Sequence, residues 1–554
     1  MDAVHAIQEA LHKALVHCGV SNPEPVLEFP AELEHGDFAT NVALAYSKQL
    51  GGNPRSLAEE IVTAMGTIVG VSKIEIAGPG FINFHLAPEY FDASIKNILN
   101  DVEQWGRGDA YKGQEVMVEY TDPNPFKAFH IGHLMSNTIG EALARLIENA
   151  GAKVVRANYQ GDVGVHVACA IWGMKKLGIN PRSADEFGRA YAEGATAYKD
   201  AELAKKEIDE INQKLYARSD AELNELYDTG RKASLASFER IYATLGTKFD
   251  VYFFESETGP IGKEIVEAHG DIFPESDGAR VFKGEEYGLH TRVFLNSQGL
   301  PTYEAKELGL EKIKMDQYPH ATKLIVVTAN EIIDYFRVVK KAMELVYPEI
   351  AAKLQHVAHG MLRLASGKMS SRTGSVITGE SLLANLTEVA KARAHESRAD
   401  DLQKLARDVA VAAIKYQILR QGTEKNIMFD ESRALSLEGD SGPYLQYAHA
   451  RTRALLEKGT QAGVMPAASA LGTDIERMLI RYPMIADRAA RELAPQHITT
   501  YLTELASEFN AWYAQEQIVD GTPHASTKLG LVAAVAATLK NGLSLLGIFA
   551  PEKM

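Results

Sequence analysis

The chain has 554 residues, 46% hydrophobic and 24% charged, with a formal net charge of −15. That length exceeds what one hydrophobic core supports and predicts two to four folded domains, while the composition excludes a disordered or fibrous chain. The acidic balance argues against indiscriminate coating of nucleic acid, which needs many Lys and Arg contacts to phosphate, but it leaves room for a specific RNA held on a local basic face.

The N-terminus opens with Asp2 as a helix cap and Val4, Ile7, Leu11 and Leu15 at helical spacing, without the basic start and apolar block of a signal peptide. Residues 1 to about 95 read as a small α/β unit, ending in KIEIAGPGFINFHL, a strand, a Gly-Pro-Gly turn and a second strand. A glycine-rich, charged linker follows between Trp105 and Gly113. EVMVEYT (115–121) then reads as a strand, DPNPFKAF as a proline-broken loop, Ile131–Asn149 as a helix and AKVVRANYQ as a second strand. This is one βαβ unit, and it predicts a parallel sheet with ligands at the carboxyl ends of its strands. From Arg182 to Gly246 runs a polar block, read as a solvated pair of inserted helices. KFDVYFFES, RVFLNS and KLIVVTA resume the strand pattern, so the sheet is expected to be split by the insertion. From Leu382 onward every segment is helical in pattern, for example Leu502, Leu505, Phe509 and Trp512 on one face. The apolar stretch LGLVAAVAATLKNGLSLLGIFA is interrupted by Lys540 and Asn541 and reads as a core helix, so no membrane insertion is expected.

Only two cysteines occur, Cys18 and Cys169, with no CxxC, which argues against a disulfide framework and a cysteine-based zinc site and fits a reducing compartment. His166 and Cys169 lack further ligands nearby, so no metal site is expected.

Two stretches carry chemistry. In KAFHIGHLMSN, His130 and His133 share one face of a helix's first turn, beside unpaired backbone N–H groups and the positive end of the dipole. Imidazole donors there can follow a phosphate through a nucleotidyl transfer, and Gly132 between them lets a flat ring approach the backbone. The local pattern alone leaves a surface role open for the pair. Far downstream, LASGKMSSRTGSV (364–376) surrounds Lys368 and Arg372 with glycines and hydroxyls, as suits a lid over a polyphosphate, although a basic surface turn would look the same.

HIGH at 130–133 followed by KMSS at 368–371 resembles the paired signature of class I aminoacyl-tRNA synthetases. Nearly the whole chain is similar to the arginyl-tRNA synthetase family. EHGDFATNVALAYSKQLGGNPRSLAEEI and IAGPGFINFHL resemble its N-terminal domain. VEYTDPNPFKAFHIGHL and NYQGDVGVHVA resemble its catalytic core, and GPYLQYAHAR and LLGIFAPEKM its anticodon-binding bundle. The resemblance implies a small α/β N-terminal domain (1–108), a Rossmann-like catalytic domain with a parallel sheet (109–380, helical insertion about 182–246) and an all-α anticodon-binding bundle (381–554). It implies ATP with Mg²⁺, L-arginine and tRNA(Arg) as ligands, and a cytoplasmic monomer is expected. No protein nucleophile is needed, in keeping with the absence of a recognisable nucleophile and base.

Carried over by position, the resemblance makes His130, His133 and Lys368 catalytic, with Lys127 a further cation. Gly132, Lys368, Met369, Ser370 and Arg372 would bind ATP. Glu119, Asn124, Tyr303, Glu307 and Glu331 would bind arginine, whose guanidinium fork carboxylates match. Phe81, Asn83, Tyr444, Gln446, Tyr447 and Arg451 would touch tRNA, aromatics and arginine being able to stack on exposed bases. Without the resemblance, Glu307 on YEAKELG would default to the surface, Phe81 to the core, and Tyr444 and Tyr447 to a packing stripe. The chain departs from the family in three places: Glu307 stands where Asp is usual, Glu331 near a usual Gln, and Ser371 in place of the lid's second lysine. The competing readings are a class I relative for another amino acid such as cysteine, a plain nucleotidyltransferase, and a catalytically silent RNA-binding paralogue.

Overall fold

The computed structural model describes residues 3–30, 32–180, 184–364, 378–393 and 397–554. Contacts divide the chain into two units: Met1–Gly106 with Ala448–Met484 and Leu502–Asn541, and Arg107–Tyr447 with Ile485–Tyr501 and Gly542–Met554.

In the first unit the expected strand, turn and strand are Val71–Ala77 and Phe81–Leu86, antiparallel. A third strand, Phe38–Thr40, pairs with the second of these. It escaped the sequence reading because its three residues, all buried, are too short to show alternation. Ile82, Phe84 and Leu86 point inward against Ile7, Leu11 and Leu15 of helix Ala3–His17, and Ile480 joins the same core. Asp37 Oδ2 accepts from the Leu86 amide at 2.7 Å, and Arg477 donates to the Leu33 carbonyl at 2.7 Å.

The second unit is built on a five-stranded parallel sheet. Its strands are β1 (Glu115–Glu119), β2 (Lys153–Gln160), β3 (Val251–Phe254), β4 (Ala321–Ala329) and β5 (Leu354–His359). Their spatial order is 5-4-1-2-3, so the winding reverses between β1 and β4, where open α/β sheets place their ligands. The helices that matter for the site are α1 (Ile131–Asn149), α2 (Val165–Leu177), α3 (Glu255–Ala268), α4 (Tyr303–Gln317) and α5 (Ile333–Val346). α3 and α4 pack backbone to backbone: a Cβ on Gly309 would lie 2.1 Å from the Thr258 carbonyl oxygen, so glycine is required there.

Three expectations are corrected. RVFLNS contributes Arg292–Leu295 to a separate three-stranded antiparallel sheet with Glu275–Ser276 and Ala279–Phe282, and does not enter the parallel sheet. Its partner is Ala279–Phe282, which a turn at Asp277 and Gly278, both with positive φ, already joins to Glu275–Ser276 as a tight hairpin. The insertion holds three helices, Ala184–Asp200, Glu202–Ala217 and Ala221–Leu245, and they are not merely solvated. Phe187, Ile208, Leu215 and Leu223 pack with Val167, Ile171 and Met174 of α2. The region after Leu382 contains one short strand, Ile427–Phe429, parallel to Leu362–Leu364. No helix among the described residues is long and apolar enough to cross a membrane.

Candidate active site

β1 ends at Glu119, and the chain then turns through Tyr120–Phe129 to reach α1. Thr121, Asp122 and Phe126 all have positive φ, although none is glycine. Such conformations cost on the order of 1–3 kcal/mol each and persist only where neighbours hold them. Here the Thr121 amide donates to Ser136 Oγ (2.9 Å), Asp122 Oδ1 accepts from the Tyr159 amide (2.9 Å), and the Phe126 amide donates to Ser234 Oγ (3.0 Å). Partners from α1, β2 and the insertion therefore hold one loop in one shape.

His130 is the N-cap of α1. Its Nδ1 accepts from the His133 amide at 3.4 Å, while His133 Nδ1 accepts from the His130 amide at 3.3 Å. The rings stack with centroids 3.5 Å apart, and a Cβ on Gly132 would come within 3.0 Å of the His130 ring. Because each Nδ1 is an acceptor, each neutral ring carries its proton on Nε2, on the side away from the capped backbone. Burial pushes the His133 imidazole well below its ordinary pKa, helped by His130 and Lys127. Desolvation and then Lys127 lower His130 as well, although part of its ring is open to solvent. Both are neutral donors at physiological pH. Lys127 sits over the Tyr191 ring at 4.7 Å, and burial lowers its pKa.

Residues 365–377, with Lys368, Met369, Ser370 and Arg372, lie outside the described residues. The chain resumes at Thr378, which forms a β-bridge with His130, and the Gly379 amide donates to the Phe129 carbonyl at 2.8 Å. The exit of the lysine-bearing stretch is thus tied to the histidine-bearing turn.

Beside these groups lies an acidic cluster. Glu119, Glu307 and Glu311 are buried, and so is Lys314, whose ammonium is 2.8 Å from Glu119 and ion-paired with Glu311. Asp122 joins them electrostatically. Burial and then the Glu119 charge push Glu307 and Asp122 well above the carboxylate range. Glu307 Oε1 has no hydrogen-bond donor among the described residues. The surface position that local pattern assigned to Glu307 is therefore corrected: its spacing on α4 turns it toward the sheet. Asn124 packs over Gly161, where a Cβ would come within 2.4 Å of its Oδ1. Tyr303 is exposed at the start of α4, with its carbonyl accepting from Tyr335 Oη at 3.1 Å. Glu331 is exposed on the turn after β4, at the same sheet edge.

Sequence reasoning missed three other groups here. Lys306 pairs with Glu255 at 2.6 Å in a buried setting. Asp162, fully buried, accepts from Arg231, Tyr227, and the Ser256 amide and hydroxyl. Lys314, buried between Glu119 and Glu311, was not singled out in sequence. A cavity of about 460 Å³ opens at Tyr303 and Lys306, lined also by His166, Tyr191 and Tyr216; the acidic cluster and the two histidines of the α1 turn are not among its lining residues.

The residues expected at tRNA are spread along the chain. Phe81 is exposed on its strand, with Ile82 and Phe84 turned the other way into the core, so the core alternative for Phe81 is not realised; Asn83 is buried. Tyr444 and Tyr447 are half-buried. Gln446 is fully buried and spends its amide on the Asp408 and Phe549 carbonyls, a packing role at variance with the expected RNA contact. Arg451 donates to Asn510 and lies over the Tyr513 ring.

Comparison with known proteins agrees along the length of the chain. The family model for the class I (R) tRNA synthetase catalytic domain matches residues 94–431, that for the arginyl tRNA synthetase N-terminal domain matches 2–86, and that for the DALR anticodon binding domain matches 445–554. Arginine–tRNA ligases from Clostridium beijerinckii and Halothermothrix orenii are each 30% identical over 100% of both chains. The Thermus thermophilus arginyl-tRNA synthetase structure superposes with a TM-score of 0.83 at 26% identity, covering 99% of this chain and 100% of that one. A Plasmodium falciparum structure shares the fold, with a TM-score of 0.79 at 20% identity and 100% of both chains covered.

Proposed function

The chain belongs to the arginyl branch of the class I tRNA synthetases, and from that premise we propose how its own residues carry out the reaction. It activates L-arginine with ATP and transfers the arginyl group to tRNA. The arginine carboxylate attacks the α-phosphorus of ATP and pyrophosphate leaves; a terminal ribose hydroxyl of the tRNA then takes the arginyl group and AMP departs.

The observation that carries the assignment of the arginine site is the acidic cluster at the winding reversal. Four carboxylates, Glu119, Asp122, Glu307 and Glu311, share the single ammonium of Lys314. A buried cluster this short of positive charge favours a cationic, fork-shaped ligand and rejects neutral analogues, which would leave carboxylates unpaired. Asn124 would hold the polar head of the amino acid, Tyr303 would meet its side chain with Glu119 and Glu307, and Glu331 would flank it.

His130 and His133, neutral with Nε2–H outward, would donate to the phosphates as charge builds on them, and Gly132 would leave room for adenine. Lys127 would add positive charge from the loop. The Thr378–His130 bridge supports a role for Lys368, Met369, Ser370 and Arg372 over the same triphosphate. Mg²⁺ would enter bound to the triphosphate of ATP. Phe81, exposed on its strand, would stack on tRNA, and Asn83, Tyr444, Tyr447 and Arg451 would make further RNA contacts. The division 1–108, 109–380 and 381–554 is proposed for the tRNA-binding, catalytic and anticodon-binding parts. The enzyme is proposed to be a cytoplasmic monomer, and its two unpaired cysteines support a reducing compartment.

The test is transfer of each labelled amino acid to tRNA in the presence of ATP. Arginine alone is expected on the RNA; labelling with cysteine or with no amino acid would overturn the assignment.

A further inference from the structure

Glu307, Glu311 and Lys314 are spaced four and three residues apart on α4, so they share a helix face. That face is buried, with Lys314 itself 1% exposed. An ammonium beside a pocket for a cation is unexpected, because it repels the substrate. Its surroundings explain it: Glu119 reaches it from β1 at 2.8 Å, Glu311 from its own helix, and Glu307 and Asp122 lie within electrostatic range. Tyr159 of β2 and Tyr335 of α5 also lie within electrostatic range of Glu307.

We propose that Lys314 is a positioning residue of the arginine site: a built-in counter-cation whose ion pairs hold the Glu119 and Glu311 carboxylates in place, leaving Glu307, whose Oε1 has no donor among the described residues, as the acceptor for the guanidinium. This rests on the acidic cluster being the arginine pocket. Without Lys314, Glu119 and Glu311 would lose the partner that fixes them, and the wall that orients the guanidinium toward Glu307 would lose its shape. Burial alone opposes the ammonium, but the three glutamates outweigh it and hold Lys314 above its ordinary pKa, so it stays charged throughout the working range.

The experiment measures arginine KM and kcat for Lys314→Met, with tRNA present. The KM is expected to rise about tenfold, the equivalent of about 1.4 kcal/mol, with a smaller change in kcat. Lys314→Arg, which keeps the charge, is expected to restore most of the affinity. If Lys314→Met does not fold, the double variant Glu311→Gln/Lys314→Met removes both members of a buried pair and gives the same reading, because Glu119 still lacks its cation. A wild-type arginine KM in Lys314→Met or in the double variant overturns the proposal, as does a fall in kcat as large as the rise in KM or a failure of Lys314→Arg to restore KM. Glu307→Gln separates the two levels: raised KM there with none in the Lys314 variants sinks only the role of Lys314, whereas unchanged KM in Glu307→Gln sinks the pocket assignment as well.

Discussion

Replacing Glu307 by glutamine keeps the shape of the side chain and removes its charge. Oε1 of Glu307 is buried without a donor among the described residues, and burial and Glu119 hold its carboxyl well above the ordinary range. In the folded chain the group keeps a proton that the unfolded chain releases. Stability therefore falls as pH rises from the ordinary glutamate range toward the raised value. Glutamine abolishes that loss, so the variant is expected to melt higher than wild type at pH 8, by an amount that vanishes toward pH 5. Each pKa unit by which burial raises the carboxyl corresponds to about 1.4 kcal/mol of that difference. Arginine binding moves the other way. A hydrogen bond to a charged partner is worth about 1.5–3 kcal/mol, so arginine KM should rise on the order of 10- to 100-fold. Thermal melting across pH and steady-state aminoacylation read the two effects separately. If activity and stability fall together, or the arginine KM is unmoved, Glu307 is an ordinary structural residue and the pocket argument is wrong.

His133→Ala is expected to lower kcat by two orders of magnitude or so while tRNA affinity is retained, since it removes a donor used as charge develops on phosphate; equal loss in both would indicate a folding defect. Phe81→Ala is expected to raise the tRNA KM several-fold with arginine KM unchanged, in line with about 1–3 kcal/mol for a base stacked on an aromatic ring. A change in arginine KM instead would remove Phe81 from the RNA surface.

The parts of the fold that were legible in sequence are those with long periodicity or strong punctuation. Helix Ile131–Asn149 and the hairpin around Gly78–Gly80 stand where their patterns put them. Phe38–Thr40 and Ile427–Phe429 have three residues each and derive their strand character from partners remote in sequence. The site divides in the same way. His130 and His133 were visible because a helix start reveals itself locally. Glu311 and Lys314 were not, because their spacing is that of countless solvated ion pairs, and only the tertiary approach of Glu119 makes them a buried network. The strained φ values at Thr121, Asp122 and Phe126 were also hidden, since no glycine marks them.

The central claim is that the histidine turn and the lysine stretch act on one triphosphate, as the Thr378–His130 bridge suggests. A double-mutant cycle on His130→Ala and Lys368→Ala, read in arginine-dependent pyrophosphate exchange with tRNA present, tests it directly. Groups that hold the same phosphates should couple by about 1 kcal/mol or more, the double variant losing less than the sum of the single losses. Losses that add in full would mean that the two segments work apart, and the shared site would have to be abandoned.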